Sequence, residues 1–269
     1  MVRVYLLVEG PHDVEFIGRL LKWWACKRIQ LLKRVDPFWH PLIPKVFPHL
    51  DDLLARVPVP TFFETTDLQV AVSVAVGDSK IARILRADLT VPSFCVDELD
   101  AIGLVLDADD KTPRDRWQAL SRAIQLPPNL HMTLPAEPNT VARANPRFGA
   151  LVLPGDGTRG SLEDLLIACG KIVYPQLLRK AQTYVRAVDG RARRGIGSAA
   201  LTDFDTSSGR KKALFAAMTA PLRPGKAMQV SIQDNRWLSE ATRELPSVRA
   251  CLSFMAALLG RAPSVHVIR

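Results

Sequence analysis

The sequence predicts an α/β fold, with a mainly parallel sheet of about four strands flanked by helices and a helical C-terminal extension. Three observations support this prediction. Short apolar runs recur along the first part of the chain, and each is followed by a turn and then by residues with helical spacing. These runs are continuous rather than alternating, which is typical of strands buried on both faces of a parallel sheet. Beyond about residue 170 the pattern becomes mostly helical.

The first repeat shows the pattern clearly. Residues 2–8 form an apolar run rich in β-branched side chains, and Glu9, Gly10 and Pro11 follow as a turn. Helical spacing begins near Asp13. A proline at the start of a helix and an acidic residue in its first turn both favour a helix N-terminus. The opening of the chain is therefore predicted to be strand, tight turn and helix.

Three further repeats and several irregular segments complete the prediction. Strands are expected at 68–76, 102–106 and 148–153, followed by helices reaching 86, spanning 113–124 and starting at 161. A proline-rich insertion covers about 36–66 and holds one short helix at 49–56, and residues 127–147 are expected to be a loop. Later helices are predicted at 172–187, 211–219 and 242–259, with a flexible loop at 190–209. We therefore divide the chain into an α/β core at 1–170 and a basic, mostly helical extension at 171–269 packed on that core.

Length and composition exclude several classes of protein. With 269 residues, 48% of them hydrophobic, the chain is long enough to bury a stable core without disulfide bonds. Its four cysteines are scattered, without a C-x-x-C pair, which indicates reduced thiols and no zinc site. No targeting segment is visible, and the apolar stretch at 250–259 is about half of a membrane span. We therefore expect a cytoplasmic protein with no membrane partner.

The positive charge is concentrated in one segment. The net charge is +9, and residues 171–212 contain ten Lys or Arg but only three acidic residues. Such clusters bind phosphates because each contact releases counterions. We therefore expect nucleic acid as a partner, although a basic run can also be a solvated helix face. The candidate contacts are Arg179, Lys180, Arg191, Arg193, Arg194, Arg210 and Lys211.

Acidic features follow three of the predicted strands. Glu9 follows the first, Asp107 and Asp109 follow the third, and Ser161 and Glu163 follow the fourth. Ligands of an open parallel sheet collect beyond the carboxyl ends of its strands. Carboxylates gathered there repel one another unless a hard cation such as Mg²⁺ neutralises them. Positions two apart on an extended chain point the same way, so both aspartates are expected to reach one ion.

Each of these acids also has a structural interpretation. Asp107 and Asp109 can cap the helix that follows them. Ser161 and Asp164 fit a capping box at the start of another helix. That interpretation explains Ser161 and Asp164 but leaves Glu163 available to face the site. Glu9 ends a buried strand and has no obvious structural duty.

Two of these motifs resemble a known family. The segment from Glu9 through Gly10 to Asp13 resembles the E-G-x-x-D motif of the Toprim domain, and Asp107 and Asp109 resemble its D-x-D motif. Ser161 and Glu163 resemble the S-x-E element of nucleases of the overcoming-lysogenisation-defect family and of small stand-alone Toprim-like proteins of prokaryotes. The C-terminal helical segment of those relatives contains Lys, Ala, Trp, Leu and Phe in this order. The same order is found here in Lys212, Ala213, Trp237, Leu252 and Phe254.

The resemblance implies a Toprim-like, Rossmann-like fold and a role for each matched residue. Metal ligands would be Glu9, Asp13, Asp107, Asp109, Ser161 and Glu163, holding Mg²⁺ or Mn²⁺ and most simply two ions. Glu9 would also act in catalysis. Lys212 would stabilise the transition state, although a lysine beside Arg210 and Lys211 can also be an ordinary surface charge.

These observations lead to two competing functions. The first is a metal-dependent nuclease that cuts DNA or RNA, with DNA favoured, in phage defence or DNA processing. The second is a non-catalytic Toprim-like module that binds nucleic acid or a partner protein. The chain has no Walker A motif, so any ATPase partner would be a separate chain. Its three tyrosines lie in a predicted strand and a predicted helix, which argues against a topoisomerase.

Overall fold

The computed structural model describes residues 1–46, 59–75, 77, 80–126, 132–189 and 193–264. The helix predicted at 49–56 lies outside these residues. The strands are β1 (Val2–Val8), β2 (Lys27–Arg28), β3 (Thr61–Glu64), β4 (Leu68–Val74), β5 (Ala101–Asp107), β6 (Thr140–Ala142) and β7 (Arg147–Leu153). The helices are α1 (Pro11–Leu21), α2 (Ile81–Leu89), α3 (Pro113–Ala123), α4 (Leu162–Val173), α5 (Pro175–Asp189), α6 (Arg193–Ile196), α7 (Ser207–Leu222), α8 (Met228–Asp234) and α9 (Pro246–Leu259).

The described strands form one mixed sheet in the order β2-β3-β4-β1-β5-β7-β6. The four central strands, β4, β1, β5 and β7, are parallel. The short strands β2, β3 and β6 extend the sheet by antiparallel pairing. The chain thus has the expected α/β fold with a parallel centre and C-terminal helices.

The predicted number of about four strands is wrong, because the sheet has seven. The three additional strands are two to four residues long, so they carry no usable hydrophobic period. β3 lies in the predicted proline-rich insertion and β6 in the predicted loop. Their extended conformation is fixed by the ladder with β4 or β7 rather than by their own residues.

The helical segments differ from the prediction mainly after residue 190. The predicted loop at 190–209 contains the short helix α6 and the first residues of α7. α7 begins after Thr206, whose hydroxyl accepts the N–H of Gly209 at 2.8 Å. Thr is a favoured N-cap residue, and this cap starts the helix four residues before the predicted position.

Side chains alternate between the two faces of the sheet, and each face has its own core. Along β1, Val4, Leu6 and Val8 pack on the side of α1, α4 and the C-terminal helices. Tyr5 and Leu7 pack on the side of α2 and α3. Residues before and after position 170 share the first of these cores. The division of the chain into two domains at that position stays a prediction.

The topology creates a crevice between β1 and β5. β1 leads through α1 and the strands β2 and β3 to β4 on one side, whereas β5 leads through α3 and β6 to β7 on the other side. α1 and α3 pack on opposite faces of the sheet. Ligands of open α/β sheets bind where such connections diverge, beyond the carboxyl ends of the strands. Glu9 and Asp107 lie at this point.

None of the helices that the structure describes is both long and apolar enough to cross a membrane.

Candidate functional site

A pocket of about 240 Å³ opens where β1 and β5 end and where α1 and α4 begin. Four carboxylate side chains line it, together with one imidazole and one ammonium group. These side chains belong to Glu9, Asp13, Asp107, Glu163, His12 and Lys212. The fold therefore brings six side chains together from four segments that are distant in sequence.

Glu9 is held firmly at the end of β1. Its Oε1 accepts the backbone N–H of Asp107 at 3.1 Å and the Nη2–H of Arg116 at 2.9 Å. Burial raises the pKa of Glu9, while the nearby Arg116 guanidinium opposes that rise. Glu9 is thus a carboxylate in a poorly solvated site whose charge is partly offset by one built-in cation.

Asp13 lies in the first turn of α1 with only 7% of its surface exposed. Its Oδ2 accepts the backbone N–H of Gly10 at 2.8 Å, which stabilises the helix N-terminus. Burial raises the pKa of Asp13 to about 7, and the charges of Glu9 and Glu163 add to the rise while the Gly10 hydrogen bond opposes it. Asp13 therefore has a structural role and also faces the pocket.

Asp107 is the last residue of β5. Its Oδ1 accepts the backbone N–H of Leu162 at 2.8 Å, so it caps α4 and not the helix that follows it in sequence. That next helix, α3, is capped by the hydroxyl of Thr112, which accepts the N–H of Asp115. Burial raises the pKa of Asp107 well above its usual value, and Asp13, Glu9 and Glu163 raise it further.

Asp109 does not line the pocket with the other acids. β5 ends at Asp107, and Asp109 has a positive φ of 54° while its N–H donates to the carbonyl of Gly160 at 2.7 Å. The expectation that positions 107 and 109 point the same way along an extended strand is therefore wrong. Asp109 is exposed, yet its charge is near enough to raise the pKa of Asp107.

Ser161 and its neighbours form the predicted capping box at α4. The N–H of Ser161 donates to Oδ2 of Asp164 at 2.8 Å. The hydroxyl of Ser161 donates to Oε2 of Glu163 at 2.8 Å, and both residues are buried. Ser161 thus orients the one carboxylate of this motif that lines the pocket.

The two adjacent lysines of α7 have different neighbours. Nζ of Lys211 lies 2.8 Å from Oδ2 of Asp164, so it supports the α4 cap. Lys212 is exposed and lines the pocket. His12, in the first turn of α1, also lines the pocket. Burial lowers the pKa of His12, the charge of Lys212 lowers it further, and the charge of Glu163 opposes the shift.

The predicted nucleic-acid contacts fall into three groups: cations paired with acids of the same chain, exposed cations, and one residue outside the described part of the chain. Arg193 forms two hydrogen bonds with Asp205, and Arg210 approaches the same carboxylate at 3.7 Å. Lys211 is paired with Asp164. Arg179, Lys180 and Arg194 are exposed, and Arg191 lies outside the described residues. Part of the positive charge of this segment is therefore neutralised within the chain.

Arg116 is the site residue that sequence reasoning missed. Its Nε donates to the carbonyl of Asp107 at 2.9 Å, in addition to the Nη2 bond to Glu9. One signal was available in the sequence. Arg116 lies near the first turn of α3, where a cation opposes the helix dipole and so needs a reason to be there.

The pocket has the donor chemistry for a hard divalent cation, although its ligands are not preassembled. Among the residues that the structure describes, no group of three or more His, Cys, Asp or Glu side chains is arranged to hold a metal ion. Mg²⁺, however, is commonly bound through one or two carboxylates with several retained waters and substrate phosphates. The residues present therefore fit a hydrated ion rather than a closed protein cage.

Comparisons with known proteins identify a family and a fold. A family model described as "Protein of unknown function (DUF3226)" matches residues 3–255. The crystal structure of a hypothetical protein from Pyrococcus horikoshii OT3 is similar, with a TM-score of 0.53 and 14% sequence identity. The similarity covers 96% of this chain and 95% of that one, which shows a common fold. No curated protein matches the chain.

Proposed function

This chain belongs to the DUF3226 family, and we propose that it is a metal-dependent nuclease that hydrolyses nucleic-acid phosphodiesters at the acidic pocket. The observation that carries the proposal is the convergence of four carboxylates on one pocket at the crevice between β1 and β5. The resemblance of the two acidic motifs to a Toprim domain supports the same assignment.

The electrostatics of the pocket favour a cation. Glu9, Asp13 and Asp107 all have raised pKa values, with burial as the main cause and mutual repulsion as a further one. Such a cluster is costly to keep ionised unless positive charge enters it. We propose that Mg²⁺ or Mn²⁺ supplies this charge, held through Asp107, Glu9 and Glu163, and most simply as two ions with Asp109 at the outer edge.

The residues of the chain would divide the remaining work. Once bound, the ion would polarise a phosphoryl oxygen and lower the pKa of a water. Glu9 would orient that water and accept its proton at the carboxylate. Lys212, exposed at the rim of the pocket, would place its ammonium group against the charge that develops on the phosphate. Ser161 would hold Glu163 in position.

The substrate we propose is DNA. The exposed cations Arg179, Lys180 and Arg194 provide a basic surface on the helical extension, and phosphate contacts of this type supply affinity without sequence preference. Lys211 and the two arginines bound to Asp205 would contribute less, because their charges are already partnered.

The test is a cleavage assay with purified protein on supercoiled plasmid and linear DNA, in Mg²⁺, Mn²⁺ or EDTA. We expect cleavage in the divalent metals only. Asp107→Ala should reduce the rate by at least about 100-fold, since one preorganised electrostatic group is commonly worth that much. Asp110→Ala is the matched control, because Asp110 is exposed and does not line the pocket. Undiminished cleavage by the Asp107→Ala protein would show that another site, or a contaminant, is responsible.

A second candidate function is a non-catalytic module that binds nucleic acid or a partner protein. The specific observation in its favour is that the described residues offer no preassembled three-ligand group. This function predicts DNA binding that weakens steeply with salt, no cleavage in any metal, and little effect of Glu9→Gln. The nuclease predicts that Glu9→Gln abolishes cleavage while binding persists.

A further inference from the structure

We infer that Arg116 is a positioning residue that fixes the Glu9 carboxylate for ion binding in the acidic pocket. The inference deepens the proposed function and rests on it. It starts from a contact between two residues that are 107 positions apart in the chain and that no motif connects.

One guanidinium group joins the ends of two neighbouring strands. Nη2 of Arg116 donates to Oε1 of Glu9 at 2.9 Å, and Nε donates to the carbonyl oxygen of Asp107 at 2.9 Å. The N–H of Asp107 closes the arrangement with a bond to the same Glu9 oxygen at 3.1 Å. The three residues therefore form a ring of hydrogen bonds across the crevice between β1 and β5.

This arrangement distinguishes the two oxygens of Glu9. Within the described residues, both hydrogen bonds of its carboxylate end on Oε1. Two donors on one oxygen stop the carboxylate from rotating and leave Oε2 as the atom offered to a ligand. A group that orients a metal-ligating carboxylate in this way commonly contributes a large part of the affinity of the site.

Arg116 itself is held on a rigid support. α3 begins at a threonine cap, and its buried Trp117 donates Nε1–H to the carbonyl of Pro135 at 2.8 Å. The Arg116 side chain is 11% exposed and that of Glu9 is 17% exposed, so water competes little for their contact. The direction of the guanidinium is therefore set by the fold.

The contact needs the shape of arginine as well as its charge. Nε and Nη2 lie in one plane and serve two acceptors at once, whereas a lysine ammonium is a point charge on a flexible chain. Arg116→Lys therefore keeps the charge and loses the double contact. If Arg116 acted only by offsetting the negative charge of the pocket, that variant would behave like the unaltered protein.

The experiment measures Mn²⁺ binding to metal-free protein by electron paramagnetic resonance, alongside plasmid cleavage and thermal melting. We expect Arg116→Ala and Arg116→Lys each to weaken Mn²⁺ binding by about 10- to 100-fold and to slow cleavage, with circular dichroism unchanged. Arg114→Ala is the matched control, because Arg114 lies on the same helix in an exposed ion pair with Glu137. It should bind Mn²⁺ and cleave as the unaltered protein does.

A double-mutant cycle separates positioning from a general structural effect. Because Arg116 acts through Glu9, Arg116→Ala should cost no further Mn²⁺ affinity in a Glu9→Gln background. Losses that add fully in the double variant would overturn the inference. So would Arg116→Lys and Arg116→Ala proteins that bind Mn²⁺ normally, and in that case DNA cleavage by the unaltered protein would leave the proposed function intact.

The remaining outcomes also decide between the two proposals. Arg116-dependent Mn²⁺ binding in a protein that cuts no DNA supports the inference and overturns the nuclease function. If the unaltered protein binds no Mn²⁺ and cuts no DNA, both are overturned.

Discussion

In metal-free protein, two influences on the protonation of the Asp13 carboxyl group oppose each other. Its carboxylate caps the first turn of α1 through the N–H of Gly10, which favours the ionised form. Its burial and the neighbouring charges of Glu9 and Glu163 favour the protonated form. The second influence prevails, because desolvation is the largest cause of the shift and the nearby anions reinforce it.

This conflict predicts a pH dependence of stability in metal-free protein. The pKa of Asp13 is about 7 in the fold against a usual 3.8, so the folded state binds a proton that the unfolded state releases between these values. The contribution of this group is therefore fully present below about pH 4 and is lost as the pH rises toward 7. We expect the free energy of unfolding to fall over this window by on the order of 4 kcal/mol.

Urea denaturation in EDTA across pH 4.5–8, for the unaltered protein and Asp13→Asn, measures this effect. The difference between the two proteins should change with pH, and the comparison cancels the opposite influence of His12. Added Mn²⁺ should reduce the loss near pH 7, since a bound cation replaces the proton. Parallel stability curves for the two proteins would exclude Asp13 as the titrating group.

At the scale of single elements, α7 presents two adjacent lysines to different partners. Successive residues of a helix lie about 100° apart around its axis. Lys211 therefore reaches the capping carboxylate Asp164 while Lys212 reaches the rim of the pocket. One helix thus stabilises the N-terminus of α4 and supplies a cation to the site.

The two lysines are expected to separate stability from activity. Lys211→Ala removes an ion pair whose side chains are 38% and 31% exposed, so it should cost less than about 1 kcal/mol and change cleavage little. Lys212→Ala should change stability by less than about 0.5 kcal/mol and slow cleavage by at least about 10-fold. Denaturant unfolding and the plasmid assay measure the two effects. Equal loss of cleavage in both variants would assign the lysines a shared role in DNA binding.

At the scale of the whole molecule, the C-terminal helices are joined to the sheet by close packing. Gly103 of β5 and Gly149 of β7 are paired across the ladder, and both face α9. A Cβ at position 103 would lie 2.5 Å from Leu6 and 2.7 Å from Leu258. A Cβ at position 149 would meet Phe254 at 2.9 Å. The missing side chains let α9 approach the sheet.

Gly103→Ala is therefore expected to destabilise the protein by about 1–3 kcal/mol, because the added methyl group forces shifts in a packed core. Gly195→Ala, in open space on α6, is the matched control and should stay within about 0.5 kcal/mol. Thermal and urea unfolding measure both. A single unfolding transition that moves as a whole would show that the sheet and α9 unfold together, whereas a change confined to one of two transitions would show that α9 unfolds separately.

The parts of the fold that the sequence predicted share one property. The four central strands are continuous apolar runs, and the turn residues after them interrupt that pattern sharply, as at Glu9 and Gly10. Such signals are local and strong. The edge strands were missed because their two to four residues take their conformation from a neighbouring strand. Asp109 was misplaced because its positive φ arises from its contact with Gly160, which is distant in sequence.

The sequence by itself determined that acidic residues follow two of the buried strands, because strand, turn and helix boundaries are properties of neighbouring residues. The tertiary structure decided the rest of the site. It assigned Asp107 to the cap of α4, placed Glu163 rather than Asp109 on the pocket, and brought Arg116 to Glu9. These contacts join segments far apart in the chain, and their geometry depends on strand order and helix packing, which no local pattern encodes.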